Sequence, residues 1–308
     1  MHQKSIEEAK KRLFRGELVI FPTETVYGIG GNANNRKSIE LIYKTKNRPI
    51  NNPLICHFAN MEEIEKNFIL KDKDYELANT FWPGPLTLIL EKKINSMISP
   101  LLSNNKNQVG CRIPNNKISL SLLSIIDFPI AAPSANIATR TSVTSIEDLD
   151  YKLKEIFYID GGSSVLGLES TVIKTTKNGC KILRLGSLTI EDIKLKFPKY
   201  EISIDQSDVS PGNQLKHYSP IKPIRINVNF VNKNETLLNF GINELTSDIK
   251  SLNLSINENL SDASYNFYNY LNILDNTNCS GIAVAPIPDQ GLGKTINDRL
   301  RRASYKDE

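Results

Sequence analysis

A short apolar run near the amino terminus is followed by two hydroxyl groups and a carboxylate, on Thr23, Glu24 and Thr25. The run, residues 18–21, predicts a buried strand, and Pro22 must end it because proline cannot donate to a sheet ladder. The glycines just downstream allow the backbone to approach a ligand closely. Ligands of open α/β sheets bind at the carboxyl ends of strands, so this spacing predicts a binding site.

Two other interpretations of this segment remain open at this point. Residues 28–33 formally fit the dinucleotide-binding pattern G-x-G-x-x-A. In that fold the glycines stand at the strand end, and an acidic residue ends a second strand about twenty residues on. Neither condition is met here, which argues against a nicotinamide or flavin site. The plainer interpretation is a strand-ending turn whose polar side chains are solvated.

A basic cluster, Lys44, Lys46 and Arg48, lies at the end of a predicted helix. Such clusters usually form a solvated face. Here Pro49 and Pro53 stiffen the turn that follows, and the turn leads directly into a buried strand, so the direction of the cations is fixed. Fixed cations suit phosphate groups.

Two predicted strands carry a titratable or charged side chain among apolar neighbours, namely His57 and Arg112. A lone histidine in a strand is more often a packed core residue than a ligand. A guanidinium in an apolar strand needs an anionic partner, so Arg112 could bind a carboxylate. Polar side chains also follow later strands, in the turn 133–136 and in the segment 169–171, and Arg184 ends another strand.

Residues 197–223 lack periodicity and are rich in proline, which predicts a linker. Lys216, His217 and Tyr218 stand between two Ser-Pro steps in this segment, which is unusual chemistry for a passive tether. We therefore expect residues 208–220 to order over a bound nucleotide as a lid.

The elements that position these residues alternate between helix and strand, which predicts a mixed α/β fold. Helices are predicted near residues 5–16, 39–43, 61–80, 117–126, 145–154, 189–196 and 262–274, and from about Thr295 onward. Strands are predicted at residues 18–21, 54–58, 86–91, 108–113, 129–132, 156–160, 170–175, 180–185, 224–229 and 281–288.

The chain is expected to form two domains joined by a linker: residues 1–198, a linker or lid at 199–223, and a smaller α/β unit at 224–308. Within the second unit, Gly293, Lys294 and Thr295 imitate the end of a phosphate-binding loop. The glycine that this motif requires is replaced by Pro288, so no such loop is expected.

Composition excludes several classes of protein. The chain has 308 residues, of which 40% are hydrophobic and 23% charged, and no apolar run reaches the roughly 18 residues of a membrane span. The amino terminus is charged and lacks an apolar signal-peptide core, so a cytoplasmic protein is expected. The four cysteines are far apart and form no C-x-x-C pair, which implies neither zinc nor disulfides. A net charge of +4 permits an anionic substrate without indicating a nucleic-acid partner.

Taken together, these segments resemble those of a known family. FPTETVYGIG, KNRPINNPLICH, FWPGPLT, VGCRIP, PIAAPSAN, IDGG, LESTVI, LRLG and SPGNQLKHYSP occur in this order over residues 14–220. The chain closely resembles the threonylcarbamoyl-AMP synthases, which are YrdC-like enzymes of tRNA modification, in the two-domain form whose carboxyl-terminal part ends in a segment like GLGKTINDRLRRAS. It departs from the family pattern in the linker, at residues 213–215.

The resemblance implies a twisted mixed sheet with helices around a basic cavity, followed by a smaller Rossmann-like domain. It implies that L-threonine, bicarbonate or carbon dioxide, and ATP with Mg²⁺ give threonylcarbamoyl-AMP and pyrophosphate, without a tightly bound organic cofactor. Downstream proteins would transfer the product to tRNA, with at most weak tRNA contact by this chain and no membrane partner. The residues that bind metal are not indicated.

The resemblance also implies roles for individual residues. Catalytic roles fall on Lys46, Arg48, Ser134 and Asn136. Threonine contacts fall on Thr25, His57, Arg112, Ala132 and Ser170. Nucleotide contacts fall on Arg48, Asn52, Gln108, Ser134, Ser142, Arg184 and His217.

Two rival functions are weighed against this one. Hydrogenase-maturation carbamoyltransferases contain a similar domain but are much longer and carry zinc-binding C-x-x-C pairs, which this chain lacks. A non-catalytic RNA or tRNA binder would show a basic stripe with interleaved aromatic residues. The cations here stand beside prolines at strand ends instead.

Overall fold

A computed structural model describes residues 2–205 and 218–305, and the strands of its first part form one mixed sheet. Their order across the sheet is β1-β2-β7-β3-β6-β5-β8-β9-β10, with β4 paired to β5. The strands are β1 Val19–Phe21, β2 Gly28–Asn32, β3 Ile55–His57, β4 Phe68–Ile69, β5 Leu86–Lys92, β6 Gln108–Arg112, β7 Ile130–Ala131, β8 Thr171–Thr175, β9 Gly179–Arg184 and β10 Glu201–Ile204.

Helices pack on this sheet, and several begin at residues suited to capping. They are α1 His2–Phe14, α2 Arg36–Lys46, α3 Met61–Asn67, α4 Asp72–Phe81, α5 Lys117–Ser124 and α6 Ile190–Lys196. The side chain of Asn35 caps α2 at Lys37 and Ser38, and Thr189 forms a capping box with Asp192 at α6. The longer helices bury an apolar stripe, such as Ile6, Ala9 and Leu13 of α1.

A second sheet of four parallel strands forms the core of the carboxyl-terminal domain, in the order β11-β14-β12-β13. Its elements are β11 Ile224–Arg225, β12 Glu235–Asn239, β13 Ser251–Asn253, α7 Leu260–Asp275, β14 Gly281–Val284 and α8 Leu292–Ala303. Its apolar core also includes Val26 and Leu168 of the first domain, so the two domains share packed side chains.

Several expected elements differ in the structure. The helix expected at 61–80 is two helices separated by β4, and the one expected at 145–154 is two 3₁₀ turns, Ile146–Asp148 and Tyr151–Leu153. Segment 156–160 makes a single bridge between Tyr158 and Ile20, and not a strand. Local hydrogen bonding by short polar side chains, as at Ser145 and Asp150, favours turns over a continuous helix.

Two boundaries also change. The linker expected at 199–223 begins too early, because β10 pairs in parallel with β9 and belongs to the large sheet. In the second domain β12 and β13 were not expected, and the strand expected at 224–229 is only two residues long. The lid expected at 208–220 lies mostly outside the described residues.

No helix within residues 2–205 and 218–305 combines the length and apolar character needed to cross a bilayer.

Candidate active site

A cleft opens where the parallel strands β3, β6 and β9 end. These strands deliver His57, Arg112 and Arg184 to one edge of the sheet. The lining residues are Thr23, Thr25, Val26, Tyr27, Gly28, Arg48, Pro53, Ile55, His57, Arg112, Ala132, Pro133, Ser134, Glu169, Ser170, Arg184 and Tyr218. His57, Arg112 and Arg184 therefore meet at the carboxyl ends of their strands, where ligands of open α/β sheets bind.

All five residues assigned to threonine by resemblance meet in this cleft: they are Thr25, His57, Arg112, Ala132 and Ser170. The loop between β1 and β2 supplies Thr25, whose hydroxyl lies 2.8 Å from that of Thr23. Ser170 directly precedes β8, and its hydroxyl lies 2.7 Å from that of Thr87 on β5. The apolar strands thus hold a hydroxyl-rich rim in a buried setting.

Arg112 already has an anionic partner within the chain. Its guanidinium forms a buried ion pair with Glu24 and donates to the hydroxyl of Thr25 at 3.0 Å. The anion required by this buried cation is therefore Glu24, and a substrate carboxylate would be an additional partner. Burial lowers the pKa of Arg112, and the Glu24 carboxylate opposes that shift.

Three buried polar atoms at this end of the cleft have no hydrogen-bond partner among the described residues. They are Arg112 Nε, His57 Nδ1 and Glu24 Oε2. A buried polar atom without a partner is costly, so such atoms clustered beside a cleft indicate the position of a polar ligand.

His57 is a neutral imidazole in this setting. Burial and then the nearby Arg112 charge lower its pKa to about 3. Its ring packs edge-on against Phe21 with centroids 5.8 Å apart. His57 can therefore form hydrogen bonds with a ligand without adding charge.

The residues assigned to the nucleotide separate into groups. Arg48, Ser134 and Arg184 line the cleft. Asn52 lies behind Arg48 and accepts from it at 2.5 Å through Oδ1 and at 3.0 Å through its carbonyl. Burial lowers the pKa of Arg48 to about 10, which leaves it cationic at neutral pH.

The other nucleotide assignments fall elsewhere. Ser142 is buried and donates to Glu169 at 2.5 Å instead of lining the cleft. Gln108 is exposed at the start of β6, while Arg112 at its end reaches the cleft, so the structure does not bring Gln108 to this site. Its side chain accepts from Lys174 at 3.1 Å. His217 lies outside the described residues.

Lys46 stabilises the turn beside the cleft. Its ammonium is buried and donates to the carbonyl groups of Ser134, at 2.5 Å, and Asn136. Burial, and then the Arg48 charge, hold the pKa of Lys46 well below its usual range. The side chain of Asn136 accepts from the Ser134 hydroxyl at 2.5 Å and donates to the carbonyl of Arg140 at 2.7 Å. The ammonium of Lys46 thus faces this turn and not the cleft. Its expected contact with a phosphate stays a prediction.

The structure also reveals a buried network that the sequence did not predict as a unit. Glu169 lines the cleft and accepts from Ser142, from Tyr268 at 2.8 Å and from Arg299 at 3.0 Å. Tyr268 and Arg299 belong to the second domain, and Arg299 lies 4.4 Å from the ring centroid of Tyr218. Local sequence around Glu169 gives an acid and hydroxyl pattern, but no local signal marks a partner more than a hundred residues away.

Comparison with known proteins identifies this combination of domains. A family model described as "Telomere recombination" matches residues 11–186, and one described as "Threonylcarbamoyl-AMP synthase, C-terminal domain" matches residues 188–304. The threonylcarbamoyl-AMP synthase of Pyrococcus abyssi is 32% identical, with 97% of this chain and 95% of the relative covered. That of Bacillus subtilis is also 32% identical, with 97% and 92% covered.

A solved structure agrees with these relatives. The crystal structure of P. abyssi Sua5 complexed with L-threonine matches with a TM-score of 0.85 and 31% identity, over 97% of this chain and 94% of that one. The match spans both domains and hence the residues that line the cleft. The chain belongs to the threonylcarbamoyl-AMP synthase family, in its two-domain form.

Proposed function

We propose that this chain is an L-threonylcarbamoyladenylate synthase, which forms threonylcarbamoyl-AMP and pyrophosphate from L-threonine, bicarbonate or carbon dioxide, and ATP. The observation that carries the proposal is one cleft that combines a hydroxyl-rich rim around Arg112 and His57 with the cations Arg48 and Arg184. The relatives that carry this name, and the similar structure that holds L-threonine, support it.

Threonine binds at the end of the cleft that holds the unpartnered polar atoms. Its carboxylate accepts from Arg112 Nε, and its ammonium or hydroxyl pairs with His57 Nδ1 and the hydroxyls of Thr25 and Ser170. Ala132 is small and leaves room for the substrate. Burial of these groups strengthens their hydrogen bonds and penalises a ligand that leaves them without partners.

ATP binds toward Arg48, Ser134 and Arg184. The two guanidinium groups suit phosphate oxygens, and each is anchored to the protein, Arg48 through Asn52 and Arg184 through the carbonyl of Ser170 at 2.7 Å. Lys46 fixes the turn that presents Ser134. Anchored cations lower the reorganisation needed when charge accumulates on the leaving pyrophosphate.

The reaction needs no covalent protein intermediate. The ammonium of threonine first releases a proton to solvent. The free amine nitrogen then forms a bond to the carbon of carbon dioxide and loses a second proton, which gives a carbamate; with bicarbonate, this second proton leaves as part of the water that is lost. A carbamate oxygen then attacks the α-phosphorus, and the bond from that phosphorus to pyrophosphate breaks. The protein contributes position, charge and a cavity that limits hydrolysis of the carbamate.

Mg²⁺ would enter as MgATP and neutralise part of the phosphate charge. Among residues 2–205 and 218–305 no group of three or more His, Cys, Asp or Glu side chains is arranged to hold a metal ion. We further propose that the product passes to proteins that transfer it to tRNA, that contact with tRNA itself is weak, and that the enzyme acts in the cytoplasm.

A product assay tests the proposal. Purified chain is incubated with threonine, bicarbonate and MgATP, pyrophosphate is measured, and threonylcarbamoyl-AMP is sought by mass spectrometry. Pyrophosphate release should require both threonine and bicarbonate. Serine should be used moderately and valine poorly, because valine leaves the buried polar rim without a hydroxyl partner. ATP hydrolysis without the adenylate, or adenylate formation that requires carbamoyl phosphate, would overturn the assignment.

A further inference from the structure

We propose that Arg299 of the carboxyl-terminal domain is a positioning residue of the active site, which neutralises Glu169 and fixes Tyr218 at the wall of the cleft. The inference rests on the proposed function and extends it to the second domain. It concerns a charge in the cleft that must be compensated if anionic substrates are to bind.

Glu169 is the charge in question. Its side chain is 6% exposed and lines a cleft proposed to hold a triphosphate and a carboxylate. Burial raises the pKa of this carboxyl, but the charges of Arg299 and Arg184 and the hydrogen bonds outweigh it, so the pKa lies below its ordinary value. Glu169 is therefore an anion beside a site for anions, and like charges repel strongly in a buried setting.

Arg299 supplies the compensating charge from the other domain. It is wholly buried, its Nε donates to Glu169 at 3.0 Å, and its other nitrogens donate to Asp298 at 2.5 Å and to the carbonyl of Leu185 at 2.6 Å. Leu185 directly follows β9, whose last residue is Arg184. One guanidinium thus connects α8 to the carboxylate and to the end of the strand that carries an active-site cation.

The same guanidinium lies 4.4 Å from the ring centroid of Tyr218, which lines the cleft. This is the distance of a cation–π contact, and burial strengthens such contacts. Tyr268 completes the arrangement, because its hydroxyl donates to Glu169 at 2.8 Å and its ring lies 6.1 Å from that of Tyr218. The second domain therefore supports the cleft wall from behind, because Arg299 and Tyr268 contact the lining residues Glu169 and Tyr218.

The experiment separates charge compensation from a merely structural role. Arg299→Met should raise the KM for ATP at least about tenfold, because a buried carboxylate is left facing the phosphates. Arg299→Lys keeps the charge and should recover part of the affinity. The double variant Glu169→Gln with Arg299→Met removes both charges and should return the KM for ATP toward that of Glu169→Gln alone.

A matched control comes from another arginine–glutamate pair of the second domain. Arg225 donates to both carboxylate oxygens of Glu235, at 2.8 and 2.7 Å, and neither residue lines the cleft. Arg225→Met should lower the unfolding temperature and leave the KM for ATP and the KM for threonine unchanged. All rates are taken below the unfolding temperature of each variant.

Each outcome decides the question. Unchanged KM values in Arg299→Met, or a double variant as impaired as Arg299→Met, would overturn the inference. If Arg299→Met does not fold, the comparison of the double variant with Glu169→Gln decides: a tenfold higher KM for ATP in the double variant contradicts compensation. A wild-type chain that makes no adenylate contradicts the proposed function instead, and normal wild-type synthesis with unaffected variants contradicts only this inference.

Discussion

Two buried ion pairs determine what a substitution of an individual residue at this site does to the stability of the protein. Arg112 with Glu24 and Arg299 with Glu169 are both nearly inaccessible to solvent. Breaking a buried pair by removing one partner is strongly destabilising, whereas replacing both partners can be close to neutral. Variants of these residues must therefore be designed in pairs if substrate binding is to be separated from stability.

Arg112→Met in a chain that also carries Glu24→Gln should raise the KM for threonine by more than about tenfold, because the substrate carboxylate loses a buried charged donor. The matching single variant, Arg112→Met, should be less stable than the double variant because Glu24 stays buried without its cation. Steady-state rates at varied threonine and urea unfolding measure the two effects. An unchanged KM for threonine in the double variant would show that Arg112 has only a structural role.

Arg48→Ala should weaken ATP use by about ten- to a hundredfold in KM, the range of a lost charge-assisted hydrogen bond, with a much smaller change for threonine. Arg36→Ala is the control, since Arg36 forms an exposed pair with Glu40 on the same helix at 2.9 Å and contributes little. Initial rates with one substrate varied at a time give both KM values. An effect confined to threonine would mean that the two halves of the cleft are assigned in reverse.

His57 should make stability depend on pH. The folded state keeps it neutral because its pKa is lowered to about 3, whereas in the unfolded chain it takes up a proton below about pH 6.5. The contribution of His57 to the free energy of unfolding is therefore fully present above about pH 6.5. It is lost as the pH falls toward about 3, by up to about 1.4 kcal/mol per pH unit for the one proton that the unfolded chain takes up. Urea unfolding of wild type and His57→Asn between pH 7 and 4 tests this. Parallel pH curves for the two proteins would refute the assignment.

Among the elements, the β1–β2 hairpin sets the position of the loop that carries Thr23, Glu24 and Thr25. Gly28, Gly30 and Gly31 lie in β2 itself, and of these only Gly28 reaches the cleft. A Cβ on Gly30 would collide with Ile130 and lie 2.8 Å from Phe21 Cε1. Gly30 therefore serves close packing of strand and side chain more than approach of a ligand, which corrects the role expected from the sequence.

Gly30→Ala should lower the free energy of unfolding by about 1 to 3 kcal/mol, the usual cost of overpacking. Ile130→Ala in the same chain removes one of the colliding groups, so the double variant should lose less stability than the sum of the two single losses. Urea unfolding of all four proteins measures the coupling. Simple additivity would exclude crowding at Ile130 as the cause.

At the scale of the whole molecule, the second domain docks directly against the active-site half. Thr295 donates to the carbonyl of Gly186 at 3.0 Å, Ser264 to that of Leu166 at 2.8 Å, and Thr141 to Asn272 at 2.6 Å. Thr295 belongs to the segment that imitates a phosphate-binding loop, and this contact gives it a structural role. These three hydrogen bonds hold the second domain against the first.

A chain that ends after Asp205 should make the adenylate at least about tenfold more slowly per folded molecule, because Glu169 loses both Arg299 and Tyr268. The chain must extend to this point because β10 is part of the large sheet. Circular dichroism establishes the folded fraction, and the product assay gives the rate. Synthesis at the full rate would mean that the second domain contributes nothing to the site.

Residue types and strand boundaries could be predicted from the sequence because both depend on local chemistry. Apolar runs that end at proline or polar residues predicted β1, β3 and β6. His57 and Arg112, at the ends of two of these strands, line the cleft. Where local hydrogen bonding competed with helix, as in residues 145–154, or where strands were short, as at β13, the sequence was misleading.

Only the tertiary structure decided which charges pair. Glu24 with Arg112 and Glu169 with Arg299 are brought together across 88 and 130 positions of the chain. No local pattern encodes such pairs, because a partner is selected by the packing of whole elements and by the cost of leaving a buried charge uncompensated. For the same reason the sequence indicated a second domain but not that two of its side chains pair with Glu169, which lines the cleft.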